Sequence, residues 1–269
     1  MIASPRVPSQ LAAFSVALFA AANVLGATIG LSDNVFAFVN DGGPAVSSGH
    51  ALVPGPELTT QLLLAPPVRD GIAIAGGTVQ FGSISASVEG DSSQGLARDD
   101  THAQYTGIWQ DSFTATSATL PVGTLVDYAF TMMYELSLRC LVNGDTTGQF
   151  QTVAANVGFQ AGTGSAFVQG NSCNTALIGT REFDQIIRIG ATIQLEGQMN
   201  ISADDNSGFH SIVDPPTSFF IDPITPGASY VTGSGTSYLS PTVSVPEPAT
   251  LALLCIGLAG ISVSSRRKQ

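Results

Sequence analysis

The sequence LVDYAFTMMYELSLRCL, residues 125–141, has an apolar side chain at every second position. That set of alternate positions consists of Val126, Tyr128, Phe130, Met132, Tyr134, Leu136, Leu138 and Cys140. The other set includes Asp127, Glu135 and Arg139. A period of two with one apolar face and one more polar face is typical of a strand in an antiparallel sheet that covers a core. The segment therefore predicts a long β-strand, and Asn143-Gly144-Asp145 predicts the turn after it.

A second alternation lies further along the chain in IIRIGATIQLEGQMNISA, residues 186–203. Its apolar set consists of Ile187, Ile189, Ala191, Ile193, Leu195, Met199, Ile201 and Ala203. Gly197 keeps this period, and we interpret it as a bend. Because the segment is much longer than the usual strand of about six residues, we expect bulges, twisting or a strand that crosses between sheets.

Shorter segments extend the same pattern along the chain. They predict strands over 78–88, 113–120, 153–159, 165–169, 218–221 and 229–232, with a bulge at Gly82 in the first. A proline followed by an acid and apolar residues predicts one short helical turn over 57–64. Only 11% of the residues are charged, while there are 29 Gly and 15 Pro, which favours strands and turns over helices. The predicted fold class is all-β, an antiparallel two-sheet sandwich of the jelly-roll type.

Both ends of the chain differ from this middle region. Arg6, an apolar run over 11–22 and the small residues after it predict a helical signal peptide. At the other end an apolar run over 249–263 precedes basic residues, and we expect a transmembrane helix there. The chain is thus expected to divide into a signal peptide (1–27), a β-sandwich (28–232), a Gly/Ser/Pro-rich spacer (233–245) and a tail (246–269) whose end, 264–269, is basic.

The net charge of −11 argues against nucleic acid as a partner, because an acidic chain repels phosphate groups. The asymmetry is larger in the exported part, since Arg6, Arg266, Arg267 and the only lysine, Lys268, all lie in the terminal segments. An exported domain without lysine has no lysine nucleophile and forms no Schiff base.

Export also gives meaning to the cysteines. Cys140 and Cys173 are the only two in the exported middle region, and an oxidising compartment favours a disulfide between them. Cys255 lies in the apolar tail and has no obvious partner.

The sequence contains no recognisable catalytic motif. His50, His102 and His210 are each isolated, without a second ligand at metal-site spacing. A nucleophile elbow, a phosphate-binding loop and a Cys-x-x-Cys pair are all missing from the sequence. Glu135 and Glu196 lie on the polar sides of two separate segments, where a glycosidase pair is the alternative to plain solvated charges. We therefore expect no catalytic residues and no enzyme activity.

Two acidic segments contain oxygen ligands: RDDTH, with Asp99, Asp100 and His102, and ADDNSG, with Asp204, Asp205, Asn206 and Gly208. Neither has the alternating spacing of a calcium loop, and Asp, Asn and Gly are also the residues that turns require. We interpret both as turns and expect no metal site and no cofactor, with Ca²⁺ as the alternative. The aromatic residues Tyr105, Trp109 and Tyr128 are expected in the core, with a sugar-stacking platform as the alternative.

The tail begins with Pro246, Glu247 and Pro248, which cannot be helical together, and ends with Arg266, Arg267 and Lys268. This arrangement, VPEPATLALLCIGLAG followed by a basic end, resembles the PEP-CTERM sorting signal of Gram-negative bacteria. The resemblance covers the tail alone. It implies recognition and processing by an exosortase after transient insertion in the inner membrane, and delivery to the cell surface or the extracellular polysaccharide matrix.

These observations predict an exported, surface-sorted and non-catalytic protein, either a component of the extracellular polysaccharide or biofilm matrix or an adhesin-like structural protein. The expected partners are an exosortase-type enzyme, the inner membrane in transit and exopolysaccharide. Two alternatives stay open: a secreted carbohydrate-binding or carbohydrate-active module, and a membrane protein that keeps its tail. Aromatics aligned on an exposed sheet face, or two carboxylates facing across a cleft, would favour the first alternative.

Overall fold

The structure is a computed structural model that describes residues 28–39, 44–64, 72–91, 100–142, 151–206, 209–213 and 216–241. Within these ranges it contains strands and turns and no helix. The strands in chain order are β1 Gly30–Val39, β2 Val46–Val53, β3 Glu57–Leu64, β4 Ile72–Gln80, β5 Ser83–Asp91, β6 Asp100–Thr116, β7 Leu125–Val142, β8 Gln151–Ala161, β9 Gly164–Gly170, β10 Thr175–Arg188, β11 Thr192–Asn206, β12 Phe209–Val213, β13 Pro216–Pro223 and β14 Ser229–Thr232.

The strands form two antiparallel sheets of seven strands each among the described residues, which confirms the predicted two-sheet sandwich. Sheet A has the order β2-β1-β6-β11-β8-β9, and β14 pairs with β6 beyond the end of β1. Sheet B has the order β10-β7-β12-β5-β4-β3. The short strand β13 follows β12 in the place between β7 and β5. The core lies between the two sheets, where alternate side chains of nearly every strand meet.

The first alternating segment forms β7, as predicted. Phe130 and Leu136 are fully buried on its inner side, and Glu135 is exposed on its outer side. Strand β7 pairs with β10 along most of its length. On its other side it pairs with β13 and then with β12.

The second alternating segment is two strands and not one. β10 ends at Arg188, a turn with Gly190 at φ 90° follows, and β11 begins at Thr192. Since β10 belongs to sheet B and β11 to sheet A, the chain crosses between the sheets here while the inward parity continues. Ile189 is buried at this crossing, and Ile193 is only partly buried.

Gly197 is not a bend but lies within β11, directly opposite Trp109 of β6. A β-carbon at this position would lie 2.1 Å from Nε1 of Trp109, so the glycine makes room for the indole ring in the core.

Three further expectations are corrected by the strand pairing. Residues 57–64 are not helical, because this segment pairs with β4 over its whole length as strand β3. Residues 78–88 form a hairpin of β4 and β5, and Gly82 lies in its turn at φ 81°, where a bulge was expected. The predicted strand 113–120 is the end of β6, which stops at Thr116.

A cluster of aromatic rings fills the centre of the core. Trp109 contacts Tyr238 and Phe219, each at 5.4 Å between ring centroids, and Phe113 meets Tyr128 edge to face at 4.9 Å. Such offset and edge-to-face pairs add to the free energy gained by burying the rings. Four of these five rings come from strands, and Tyr238 comes from the segment after β14.

Residues 233–241, expected as the first part of a spacer, pack against the sandwich, and we call them the C-terminal strap. The buried carboxylate of Asp111 accepts hydrogen bonds from the strap at Ser234 N (2.9 Å), Ser234 Oγ (2.5 Å) and Tyr238 Oη (2.8 Å). Burial, and secondarily the Asp111 carboxylate, raises the pKa of Tyr238, so its hydroxyl stays protonated and donates. The β-domain therefore extends beyond residue 232 and includes this strap.

A disulfide joins Cys140 on β7 to Cys173 in the turn between β9 and β10, with the Cα atoms 5.2 Å apart. The two predicted terminal helices, at 1–27 and 249–263, fall outside the described residues, as do the motif and basic residues of the tail. In the parts of the chain that are described, no helix is long and apolar enough to cross a membrane.

Candidate functional site

The outer face of sheet A carries a row of neutral hydrogen-bonding side chains that crosses five adjacent strands. Cross-strand register aligns Asn34 of β1, Thr106 of β6, Asn200 of β11, Asn156 of β8 and Gln169 of β9. We call these five residues the amide row. Asn34 and Gln169 at its ends are exposed, and the three between them are partly exposed. At about 4.8 Å between neighbouring strands the row spans roughly 19 Å.

The amide row has spare hydrogen-bonding capacity. Asn200 Nδ2 donates to Thr106 Oγ1 at 3.1 Å, which fixes the orientation of both side chains. An Asn or Gln side chain has two N–H donors and an acceptor oxygen, so this one bond leaves donors and acceptors free along the row. Side chains that both donate and accept suit a ligand built from hydroxyl groups, which do the same.

The outer face of sheet A has few charges beside this row. Its outward side chains include one central carboxylate, Glu196, which accepts a hydrogen bond from Gln110 Nε2 at 2.7 Å. His102 of β6 is directly opposite Asp204 of β11 near one end of the strands, and its Nδ1 is hydrogen-bonded to Asp204. Among the outward residues described on this face there is no Lys or Arg.

An open groove of ≈ 720 Å³ lies at the β2 end of the amide row. Its lining combines polar residues, among them Asn34 and Thr106 of the row and Ser47 of β2, with the apolar residues Leu52 and Ile108. An extra residue in β2 opposite Leu31–Asp33 forms a bulge next to this groove. The row therefore leads into a concave site at the edge of the sheet.

Behind the groove lies a buried polar group that holds the sheet edges together. The Asp33 carboxylate is buried, and its Oδ1 lies 3.0 Å from Nδ1 of the half-exposed His50. Thr60 Oγ1 of sheet B lies 3.2 Å from the same nitrogen. Both contacts use Nδ1, so Asp33 and Thr60 fix the orientation of the His50 ring.

At the β9 end of the sheet Phe167 provides an apolar platform. Its side chain is 52% exposed on the outer face. Its neighbour across the strand pair is Gly158, so no side chain covers that side of the ring. An exposed aromatic ring can contact the apolar face of a ligand, while neighbouring neutral amides bind its polar groups.

The aromatic residues considered from the sequence do not form this platform. Tyr105, Trp109 and Tyr128 are all fully buried between the sheets, as the core interpretation expects. Residue type alone does not distinguish Phe167, because it is one of many apolar residues in alternating segments of the sequence. Its outward parity against Ala166 and Val168 was the available signal.

Glu135 and Glu196 cannot form a glycosidase pair. Glu135 points outward from sheet B, while Glu196 points outward from sheet A. The two carboxylates thus lie on opposite outer surfaces of a sandwich whose sheets alone are about 10 Å apart. Glycoside hydrolysis requires carboxyl groups about 5–9.5 Å apart across a shared cleft.

The two acidic segments are adjacent in space although 102 residues separate His102 from Asp204. Register pairs Asp100 with Asn206, Thr101 with Asp205, and His102 with Asp204. These residues therefore lie in strands β6 and β11, and the prediction that they form turns is wrong. Asp99 and Gly208 lie outside the described residues, and His210 lies in β12. The part of the chain that is described contains no group of three or more metal-binding side chains.

Comparison with known proteins identifies the tail. Residues 244–268 match the PEP-CTERM protein-sorting motif, so the chain carries a tail typical of exported, surface-sorted proteins. No curated protein matches the chain. A similar solved structure is that of TmCBM61 in complex with beta-1,4-galactotriose, at 10% sequence identity, covering 62% of this chain and 88% of that chain with a TM-score of 0.20. At that TM-score the similarity supports no inference about this chain.

Proposed function

We propose that this protein is exported, sorted to the cell surface through its PEP-CTERM tail and retained as a non-catalytic, adhesin-like component of the extracellular matrix. Its β-sandwich binds a neutral polysaccharide across the outer face of sheet A. The observation that carries this proposal is the amide row, Asn34-Thr106-Asn200-Asn156-Gln169, on five adjacent strands.

The chemistry of the face selects the ligand class. Amides and hydroxyls suit sugar hydroxyls, and Phe167 offers a ring against which the apolar face of a sugar packs. A chain with net charge −11 repels anionic polysaccharides, and no outward Lys or Arg on the described part of this face offsets that repulsion. The row runs across the strands from the groove toward the β9 edge, so an extended sugar chain is expected to lie perpendicular to the strands.

The same face supports binding without catalysis. Glu196 is held by Gln110, and the outward side chains described on sheet A place no second carboxylate beside it. His50 directs its bonded nitrogen inward to Asp33. Both side chains thus take part in hydrogen bonds within the fold, which supports a binding role for this face.

We expect the double variant Asn156→Ala/Asn200→Ala to weaken polysaccharide binding about tenfold. Each lost hydrogen bond removes about 0.5–1.5 kcal/mol, and 1.4 kcal/mol corresponds to a factor of ten in Kd. Affinity electrophoresis in gels containing neutral galactan, glucan or mannan measures the effect, with anionic alginate as the ligand control. Thr180→Ala, an exposed change on β10 of sheet B, is the matched protein control. Equal retardation of the double variant and Thr180→Ala, or preference for alginate, would contradict the proposal.

Tail processing gives a separate prediction. Mature surface protein is expected to end between residues 246 and 249 by mass spectrometry, because the tail serves as a sorting signal and is removed. Glu247→Ala should leave unprocessed precursor in the inner-membrane fraction, whereas Thr242→Ala, outside the matched motif, should not. Recovery of mature surface protein with the intact Arg266-Arg267-Lys268 end would favour a retained membrane anchor instead.

A further inference from the structure

Four aliphatic side chains are exposed at the end of the sandwich where the strap leaves the fold. Their exposed fractions are 84% for Val122, 55% for Leu125, 68% for Ile186 and 49% for Ile224. We call these four residues the exit-end patch. Exposure of one such side chain is ordinary, but a group of them on one surface marks a contact site.

The strand register groups these four side chains around Asp127 of β7, with Arg188 of β10 opposite Leu125. Ile186 of β10 is opposite Asp127 of β7, and Ile224, just after β13, donates its N–H to the Asp127 carbonyl from the other side. Leu125 is the next outward residue of β7 beyond Asp127. Val122 lies in the adjoining turn beside Gly190, so the four side chains share one rim of sheet B.

The chain leaves the fold next to this patch. Ser240 donates a hydrogen bond to Asp222, two residues before Ile224, and Leu239 beside it is 53% exposed. Only residues 242–248 separate Pro241 from Ala249, where the apolar part of the tail begins. At no more than about 3.5 Å per residue, this link holds the exit end within roughly 28 Å of that apolar run.

We propose that the exit-end patch rests on the lipid surface of the inner membrane while the tail is held there, and so orients the domain for processing. This inference depends on the sorting route proposed above and not on polysaccharide binding. The aliphatic side chains provide the contact, because the acidic chain offers anionic lipids little attraction and, among the described residues, the patch itself holds one cation, Arg188 opposite Leu125, and one carboxylate, Asp127 opposite Ile186. Aliphatic side chains that insert at the boundary between headgroups and acyl chains stabilise contact of a protein with the membrane surface.

Tryptophan probes in the full-length precursor test the proposal. Val122→Trp places a probe in the patch. Leu63→Trp is the control, because Leu63 is 57% exposed and lies far from the patch. The strand pairings from β3 through β4, β5 and β12 to β7 align Leu63 with Arg139. At 3.2–3.4 Å per residue, Arg139 lies about 45 Å from Leu125 along β7. The native Trp109 is fully buried and contributes the same background to both variants.

Each variant is incorporated into vesicles of phosphatidylethanolamine and phosphatidylglycerol with brominated acyl chains, and vesicle-bound protein is isolated by flotation. We expect bromine quenching of the probe at residue 122 to exceed that at residue 63 at least twofold. Equal quenching at the two positions, no quenching at residue 122, or failure of the precursor to float would overturn the proposal. Mass spectrometry of the C-terminus of mature surface protein independently reports tail processing, the part of the proposed function on which this inference rests.

Discussion

Replacing Tyr238 by Ala is expected to lower the free energy of unfolding by about 3–5 kcal/mol, the usual cost of removing a large core aromatic. The ring stacks on Trp109 at 5.4 Å and is only 2% exposed, so its loss opens a cavity at the centre of the core. The change also removes one of the donors to the buried Asp111 carboxylate. Urea unfolding followed by far-ultraviolet circular dichroism measures the difference.

Two further variants separate the causes of this loss. Tyr238→Phe keeps the ring and removes only the hydroxyl donor, so about 1–3 kcal/mol is expected. Leu239→Ala changes the next residue, which is 53% exposed, and should cost less than about 0.5 kcal/mol. If Tyr238→Ala matched Leu239→Ala, the strap would not be part of the folded domain.

Removing the disulfide is expected to cost about 3–4 kcal/mol, since the bond closes a loop of 33 residues and restricts the unfolded chain. The bond ties the inner side of β7, in sheet B, to the turn that leads from β9 of sheet A to β10 of sheet B. The double variant Cys140→Ala/Cys173→Ala should therefore unfold at a markedly lower urea concentration than the wild type.

Cys255 provides the matched control for this experiment. It lies in the apolar tail, outside the described domain, so Cys255→Ala should leave the urea midpoint of the domain unchanged. Treatment of the wild type with a reductant should reproduce the double variant. A midpoint that is insensitive to reductant would show that the bond does not form in the exported protein.

The strap connects the stability of the domain with its sorting. Its last contact, between Ser240 and Asp222, lies four residues before the matched motif begins at residue 244. The domain thus completes its core with the segment that directly precedes the sorting signal. The described part of the strap thus ends on the same side of the sandwich as the exit-end patch.

Local sequence was sufficient for the features that depend on local chemistry. The period of two in residues 125–141 determined a strand and its buried side, because alternate side chains of any strand point to opposite faces. The tail motif and the cysteine pair could also be identified from the sequence, since each depends on residue type and order alone. In residues 186–203 the same alternation extends over two strands, β10 and β11, because the turn between the two sheets preserves the inward and outward order of the side chains.

Only the tertiary structure decided which distant residues meet. The amide row joins side chains from five strands, and the register that aligns Asn34 with Gln169 is set by strand pairing that no single segment encodes. Sheet assignment likewise placed Glu135 and Glu196 on opposite surfaces. Tyr238 entered the core from a segment rich in Gly and Ser, because Asp111 and Trp109 supply the partners that its own neighbours in sequence lack.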